Sequence, residues 1–235
     1  MRGDTVRRSI RQIAVVGTVA LGFGLVTLIS SCGGGGGNAR LRVVHASPDE
    51  GSIDVLIDSK TIASGITFGT ATSYTSLSSG SRHLQMEPSD TATPVIDETL
   101  SLGSGSDTTV LLANFATSLN AVTLQDDNSA PTSGNAKLRI INAAPGLAPA
   151  DVYIVPDGTD INSVTPVLSS MGFESASSYT SLGAGTYRVW FTQPGQKFIF
   201  IDSGPLSLSA GQIRSVVGLN NSFGSFSSTV LSDLN

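Results

Sequence analysis

Leu41-Arg42-Val43-Val44-His45-Ala46-Ser47-Pro48 returns 97 residues later as Leu138-Arg139-Ile140-Ile141-Asn142-Ala143-Ala144-Pro145. The register continues, with Asp54-Val55-Leu56-Ile57 matching Asp151-Val152-Tyr153-Ile154. Eight extra residues then fall within 157–171. Beyond them, Phe68 and Tyr74-Thr75-Ser76-Leu77 match Phe173 and Tyr179-Thr180-Ser181-Leu182 at offset 105. Leu100-Ser101-Leu102 and Gly105 match Leu206-Ser207-Leu208 and Gly211 at offset 106. A repeat of about 90 residues is longer than a solenoid or propeller unit, so each copy reads as a domain.

Within each copy the pattern is short apolar or alternating runs broken by Gly, Pro and Ser. Strands are expected in the first copy over 39–45, 53–58, around Ile62, and over 72–77, 82–87, 95–100, 107–115 and 119–125. In the second they are expected over 136–143, 150–155, 177–182, 185–193, 197–208, 213–219 and 227–231. No helical period is sustained after Cys32. The expected fold class is all-β: two tandem antiparallel β-sandwiches, immunoglobulin- or transthyretin-like, behind a lipoprotein signal peptide. The expected domain plan is a signal peptide over 1–31, a glycine-rich tether over 32–38, the first sandwich over 39–127, a polar linker over 128–135 and the second sandwich over 136–235.

The N-terminal segment supplies the address. Arg2, Arg7, Arg8 and Arg11 precede an almost wholly apolar or small stretch from Ile13 to Ile29, the layout of a secretory signal. Ile29-Ser30-Ser31-Cys32 resembles a bacterial lipobox, which implies acylation of Cys32, the only cysteine. Several acyl chains hold a protein at a membrane where one alone is marginal. The expected location is extracytoplasmic and lipid-anchored. Gly33 after the cysteine implies the outer membrane if the host is Gram-negative. The alternative is an uncleaved transmembrane anchor, since the apolar run is nearly long enough to span.

Without residues 1–31 the chain carries nine Lys and Arg against seventeen Asp and Glu. That acidic balance speaks against a nucleic-acid surface. A single cysteine allows no disulfide within the chain.

The run His45-Ala46-Ser47-Pro48-Asp49, leading to Ile53-Asp54-Val55-Leu56-Ile57-Asp58, resembles the opening of the family called domain of unknown function 4397. Tyr74-Thr75-Ser76-Leu77-Ser78-Ser79-Gly80 resembles its middle. The second copy departs from the opening at Asn142, Ala144 and Gly146. The resemblance covers nearly all of 39–235 as two copies. It implies an extracytoplasmic β-sandwich module of bacterial envelope lipoproteins, and it implies no chemistry.

The repeated positions carry structural expectations. Pro48 and Pro145 end a strand by fixing φ. Asp54 and Asp151 are expected to accept backbone N–H bonds from the preceding turn. Gly80 and Gly185 are expected at positive φ. Tyr74 and Tyr179 are expected to pack at a sandwich end with the hydroxyl on backbone, with carbohydrate stacking as the alternative. His45 is replaced by Asn142 in the second copy, a swap that suits hydrogen bonding rather than proton transfer.

Tyr179, Tyr187, Arg188 and Trp190 form the candidate ligand surface. Alternation places Trp190 and Arg188 on one face as a stacking platform, the alternative being a Trp packed between the domains. Asp49, Asp54 and Asp58 are weak calcium candidates, without EF-hand spacing. No nucleophile elbow, phosphate loop, dinucleotide fingerprint or zinc-protease helix is present. No enzyme activity and no cofactor are expected. The expected function is a structural, adaptor or protein-binding envelope lipoprotein. The partners are the membrane through its lipid and an envelope protein or glycan. The alternatives are a carbohydrate- or solute-binding lipoprotein and, below that, a hydrolase.

Overall fold

A computed structural model describes residues 36–221 and 224–233. The signal peptide, the lipobox and Cys32 lie outside the described residues.

The first copy folds into eight strands: β1 (Asn38–His45), β2 (Ile53–Ile57), β3 (Lys60–Ile66), β4 (Thr75–Ser78), β5 (Gly80–Pro88), β6 (Ile96–Leu102), β7 (Asp107–Ala113) and β8 (Asn120–Asp126). The second has ten: β9 (Asn135–Ala143), β10 (Ala150–Pro156), β11 (Leu168–Met171), β12 (Ser175–Ala176), β13 (Thr180–Gly183), β14 (Gly185–Thr192), β15 (Ile199–Asp202), β16 (Leu206–Leu208), β17 (Ile213–Asn220) and β18 (Phe226–Ser232). One run expected as a strand over 197–208 is two, β15 and β16, because Gly204 at φ +69° turns the chain between them. Strands β11 and β12, with the turns around them, are absent from the sequence reading. They lie in and just after the insertion, where only two or four residues pair.

Each copy is a sandwich of two sheets. In the first, β4-β1-β7-β8 packs on β3-β2-β5-β6. In the second, β9, β17 and β18 with β12 and β13 face β11-β10-β14-β15, to which β16 adds through β14. Most pairs are antiparallel, but β1 runs parallel to β7 and β9 parallel to β17. A parallel pair needs a long crossover between its strands. Here the whole opposite sheet serves as that crossover.

Burial explains why β1 reads as a nearly continuous apolar run. Leu41 and Val43 point into the core of their own sandwich, with Val55, Leu84, Met86 and Val110. Val44 and Ala46 point the other way, into a separate core shared with Ile141, Ala143, Val217, Leu219 and Leu231 of the second copy. The inner sheets of the two sandwiches therefore stack face to face, giving four sheet layers. A strand covered on both faces loses clean alternation. The outer sheets keep it: β2 alternates between buried and half-buried residues. All described residues belong to one compact unit. Among them no helix is long and apolar enough to cross a membrane.

Packing volume is redistributed between the copies. Leu112 of the first copy corresponds to Gly218 of the second, and Met86 to Phe191. A Cβ on Gly218 would stand 3.0 Å from Phe191 Cε1 and 3.1 Å from Ile201 Cδ1. The larger ring of Phe191 occupies the space that Leu112 fills in the first copy.

Candidate functional site

The most organised polar cluster lies between the sandwiches. Arg42 (β1) and Arg139 (β9) occupy the same register, and the side chains of Arg42, Arg139, Asp126 and Asp233 are 0–2 % exposed. Arg42 Nη2 donates to Asp233 Oδ1 at 2.6 Å, and Arg139 Nη2 stands 2.7 Å from Asp126 Oδ1. Each arginine therefore pairs with the aspartate of the other copy.

The supports repeat too. Arg42 donates through Nε and Nη2 to Thr109 Oγ1 at 3.1 and 2.9 Å, and Arg139 Nε to Ser215 Oγ at 3.1 Å. Thr109 Oγ1 donates to Asp126 Oδ2 at 2.6 Å, and Ser215 Oγ to Asp233 Oδ2 at 3.0 Å. Arg42 Nη1 reaches the carbonyl of Ser232, and Arg139 Nη1 that of Gln125. The guanidiniums lie 4.6 and 4.7 Å from the ring centres of Tyr74 and Tyr179.

Those tyrosines differ from expectation. Their hydroxyls donate to Asp126 Oδ2 at 2.5 Å and Asp233 Oδ2 at 3.1 Å, not to backbone, because the last strand of each copy brings a carboxylate to them. Burial pushes both phenols far above the usual range, with the neighbouring aspartates raising them further against the opposing pull of the arginines. A buried ion pair of this kind fixes geometry more surely than it adds stability, since the desolvation of each charge offsets the attraction. What the network does is hold one copy against the other in a single register.

The candidate ligand surface does not assemble. Trp190 is only 5 % exposed. It packs with Tyr153 and Val155 under Ile161 and Val164, the apolar residues of the insertion. Lys197 clamps that cover by donating to the carbonyls of Ile161 and Val164, with its ammonium 4.8 Å from the Tyr153 ring centre. The expectation of an exposed Trp190 platform is thus corrected, and the alternative also fails: the ring lies on the outer face of the second sandwich, not between the copies. Arg188 is held by Asp157 and Asp202 at 2.5 and 2.7 Å, which raises its pKa. Tyr187 donates to the Gly183 carbonyl at 2.9 Å, and Tyr179 belongs to the inter-copy network.

The first copy has no such cover. Asp58 and Ser59, both at positive φ, close β2 to β3 in a two-residue turn. Leu56 and Gln85, the counterparts of Tyr153 and Trp190, remain half-buried.

Other repeated positions resolve locally. His45 Nε2 meets the Gly51 carbonyl at 2.7 Å. Asn142 Nδ2 reaches the Leu147 and Met171 carbonyls at 3.2 and 3.3 Å, so both residues tie the strand end to the following loop. Burial lowers the His45 pKa, against smaller raising effects from the Gly51 carbonyl and Glu50.

Asp54 accepts from Ser89 Oγ and Gly65 N, which lowers its pKa. Asp151 accepts from Ser170 N and Gly195 N. Three of these four donors are backbone N–H groups and the fourth is the Ser89 hydroxyl, and all come from later segments rather than the preceding turn. Gly80 has φ +112°, while Gly185 is not at positive φ. At Gly185 the constraint is closeness, since a Cβ would meet Tyr187 Cε2 at 3.4 Å. Pro145 opens a 3-10 turn, Pro145–Leu147, and Pro48 lies just past the end of β1.

The calcium candidates diverge. Asp49 accepts from Ala116 N, and Asp58 from His83 N and Arg82. Among the described residues no three His, Cys, Asp or Glu are grouped to hold a metal ion. Among the described residues, open depressions of about 310 to 380 Å³ are lined by residues other than Trp190, Tyr179, Tyr187 and Arg188.

Residues 39–153 match the family described as a domain of unknown function, DUF4397. The match takes in the first copy, crosses the linker and stops in β10, just before the insertion. The resemblance expected over 39–235 is found over this part. No curated protein matches the chain.

Among solved structures, the chain is similar to a family 26 carbohydrate-binding module of Eubacterium rectale Amy13K in complex with maltoheptaose. Identity is 10 %, with 84 % of this chain and 98 % of that one covered, at a TM-score of 0.27. A second similarity is to family 41 carbohydrate-binding modules from streptococcal virulence factors, which recognise α-glucan. There identity is 12 %, with 76 % and 92 % covered, at 0.24. A leucine-rich repeat protein from Bacteroides thetaiotaomicron is 14 % identical, with 76 % of this chain and 25 % of that one covered, at 0.20.

The roles of the arginines, their aspartates, Thr109 and Ser215 were missed by sequence reasoning. The signal was available. Each recurs at a repeat offset of 97, 106 or 107, and an arginine kept at the same register of both copies is not required by a solvent face.

Proposed function

We propose that the chain is a non-catalytic cell-envelope module in which two sandwiches, locked as one rigid body, act as a structural spacer and adaptor. The observation that carries this reading is the buried cross-paired network of Arg42, Asp233, Arg139 and Asp126, which removes freedom between the copies rather than forming a cleft between them. The proposed plan is a signal peptide over 1–31, a tether over 32–38, sandwiches over 39–127 and 136–235, and a linker over 128–135. Cys32 carries the lipid, and the module is extracytoplasmic, on the outer membrane where the host is Gram-negative. The fold is of the transthyretin-like kind rather than the immunoglobulin kind. The immunoglobulin sandwich puts its first two strands in one sheet, whereas β1 and β2 lie in opposite sheets.

Two measurements test the reading. Growth with an alkyne fatty acid labels the wild type and not Cys32→Ser, and a labelled Cys32→Ser chain refutes the anchor. Spin labels at Ser89 and Thr159, one on each copy, give one narrow distance distribution; a broad one refutes the rigid spacer.

A second reading, glycan binding, is favoured by a different site from Trp190. Phe198 is 70 % exposed and stands edge-on to Phe200 at 4.9 Å between ring centres. An aromatic ring left open at the surface is a stacking platform of the kind that sugar rings use. Retardation in polysaccharide-containing gels, lost in Phe198→Ala, is its expected signature. Equal mobility of both proteins in every polysaccharide removes it.

A further inference from the structure

The joint between the copies is built from one set of residues used twice. Each copy brings an arginine from its first strand, a hydroxyl from its penultimate strand, an aspartate just after or at the end of its last strand, and a tyrosine under the guanidinium. Arg42 meets Asp233 while Arg139 meets Asp126. A contact in which one residue meets a second, and the second's counterpart meets the first's, is isologous, the arrangement of two-fold homodimers.

The apolar part follows the same rule. Val44 and Ala46 correspond to Ile141 and Ala143, Leu111 to Val217, Leu124 to Leu231, and Ala71 to Ala176, all within the shared core. Neither face suits water: uncovering it would expose an apolar layer and take from each arginine its nearest carboxylate, leaving Arg42 with Asp126 of its own copy at 3.9 Å.

The geometry points to a self-complementary docking surface whose partner is a second copy of this same module, and which the tandem chain closes on itself. In another first copy, Arg42 meets Asp126, a carboxylate that ends the last strand, much as Asp233 directly follows the last strand of the second copy. The same holds for Arg139 and Asp233 between two second copies. Copies from two chains therefore pair through this face whenever the linker over 128–135 no longer holds them together. This goes beyond the spacer reading, because it names the partner that the face takes.

The test uses the full folded chain with a protease site placed in the exposed stretch around Ala130. The protein is cut once, held in moderate urea so that copies exchange, returned to buffer and weighed by native mass spectrometry. The two copies differ in mass, so each pairing is distinct. Three dimers are expected: first with second, first with first and second with second. Recovery of the mixed pair alone overturns the inference, because the faces would then be complementary but not interchangeable. Separated or aggregated single copies overturn it as well, because the face would then need the covalent link.

Discussion

The inner and outer faces of the two copies have diverged to different degrees. On the inner face the copies match in kind: arginine for arginine, aspartate for aspartate, tyrosine for tyrosine, and threonine for serine. On the outer face they part. The first copy shows Leu56 and Gln85 beside a two-residue turn, and the second hides Tyr153 and Trp190 under an inserted cover pinned by Lys197. The difference teaches that the joint tolerates little change while the outer sheets are open to it. A residue on the joint must satisfy a buried partner in the other copy, whereas a residue on an outer face answers only to its own sheet and to water.

The largest expected effect breaks the joint. Arg42→Ala leaves Asp233 buried beside Ser215 and Tyr179 with its charge partner gone, and removing one member of a buried pair costs about 3–5 kcal/mol. Arg139→Ala, its counterpart, loses a similar amount. Urea denaturation of both variants checks the symmetry, and a loss confined to one of them breaks it.

The next effect lies inside the second sandwich. Gly218→Ala puts a methyl against Phe191 and Ile201 and costs about 1–3 kcal/mol through overpacking. Phe191→Met with Gly218→Leu restores the pairing of the first copy. Denaturation of the double variant is expected to show less loss than the sum of its singles, and strict additivity contradicts the volume exchange.

Acid acts on the first copy through His45, whose place in the second copy is taken by Asn142. The folded pKa of His45 lies below its unfolded value near 6.5, so the unfolded chain takes up the proton first. Stability is full above that value and falls as pH drops through 6.5 towards the folded pKa. One proton gives at most about 1.4 kcal/mol per pH unit. His45→Asn, the residue of the second copy, is expected to remove this slope in denaturation series between pH 7 and 5, and an unchanged slope refutes the assignment.

The smallest effect is on the outer face. Arg188→Ala breaks two exposed ion pairs, and the denaturation midpoint is expected to stay within error of the wild type.

Much of the fold was legible because apolar spacing and turn residues act locally. The repeat located equivalent strands, and the exchange of His45 for Asn142 already implied a hydrogen-bonding role. What was not legible depends on long-range pairing. Nothing near β1 says that it runs parallel to β7, because that pairing closes a loop of some sixty residues. The joint escaped for the same reason, since Arg42 and Asp233 lie 191 positions apart. Trp190 was misplaced because alternation gives the face on which a side chain stands but not what lies above it. The cover comes from the insertion over 157–171, which had no counterpart to be compared with.

The central claim is that the joint makes the two copies one cooperative body. Pulsed hydrogen exchange through a urea series, read by mass spectrometry on peptides from β1 and β7 and from β9 and β17, tests it most directly. The account predicts one midpoint for all four strands, and an equal fall of that midpoint at both copies in Arg139→Ala. Two separate midpoints in the wild type, or an Arg139→Ala variant in which only β9 and β17 shift, would contradict it.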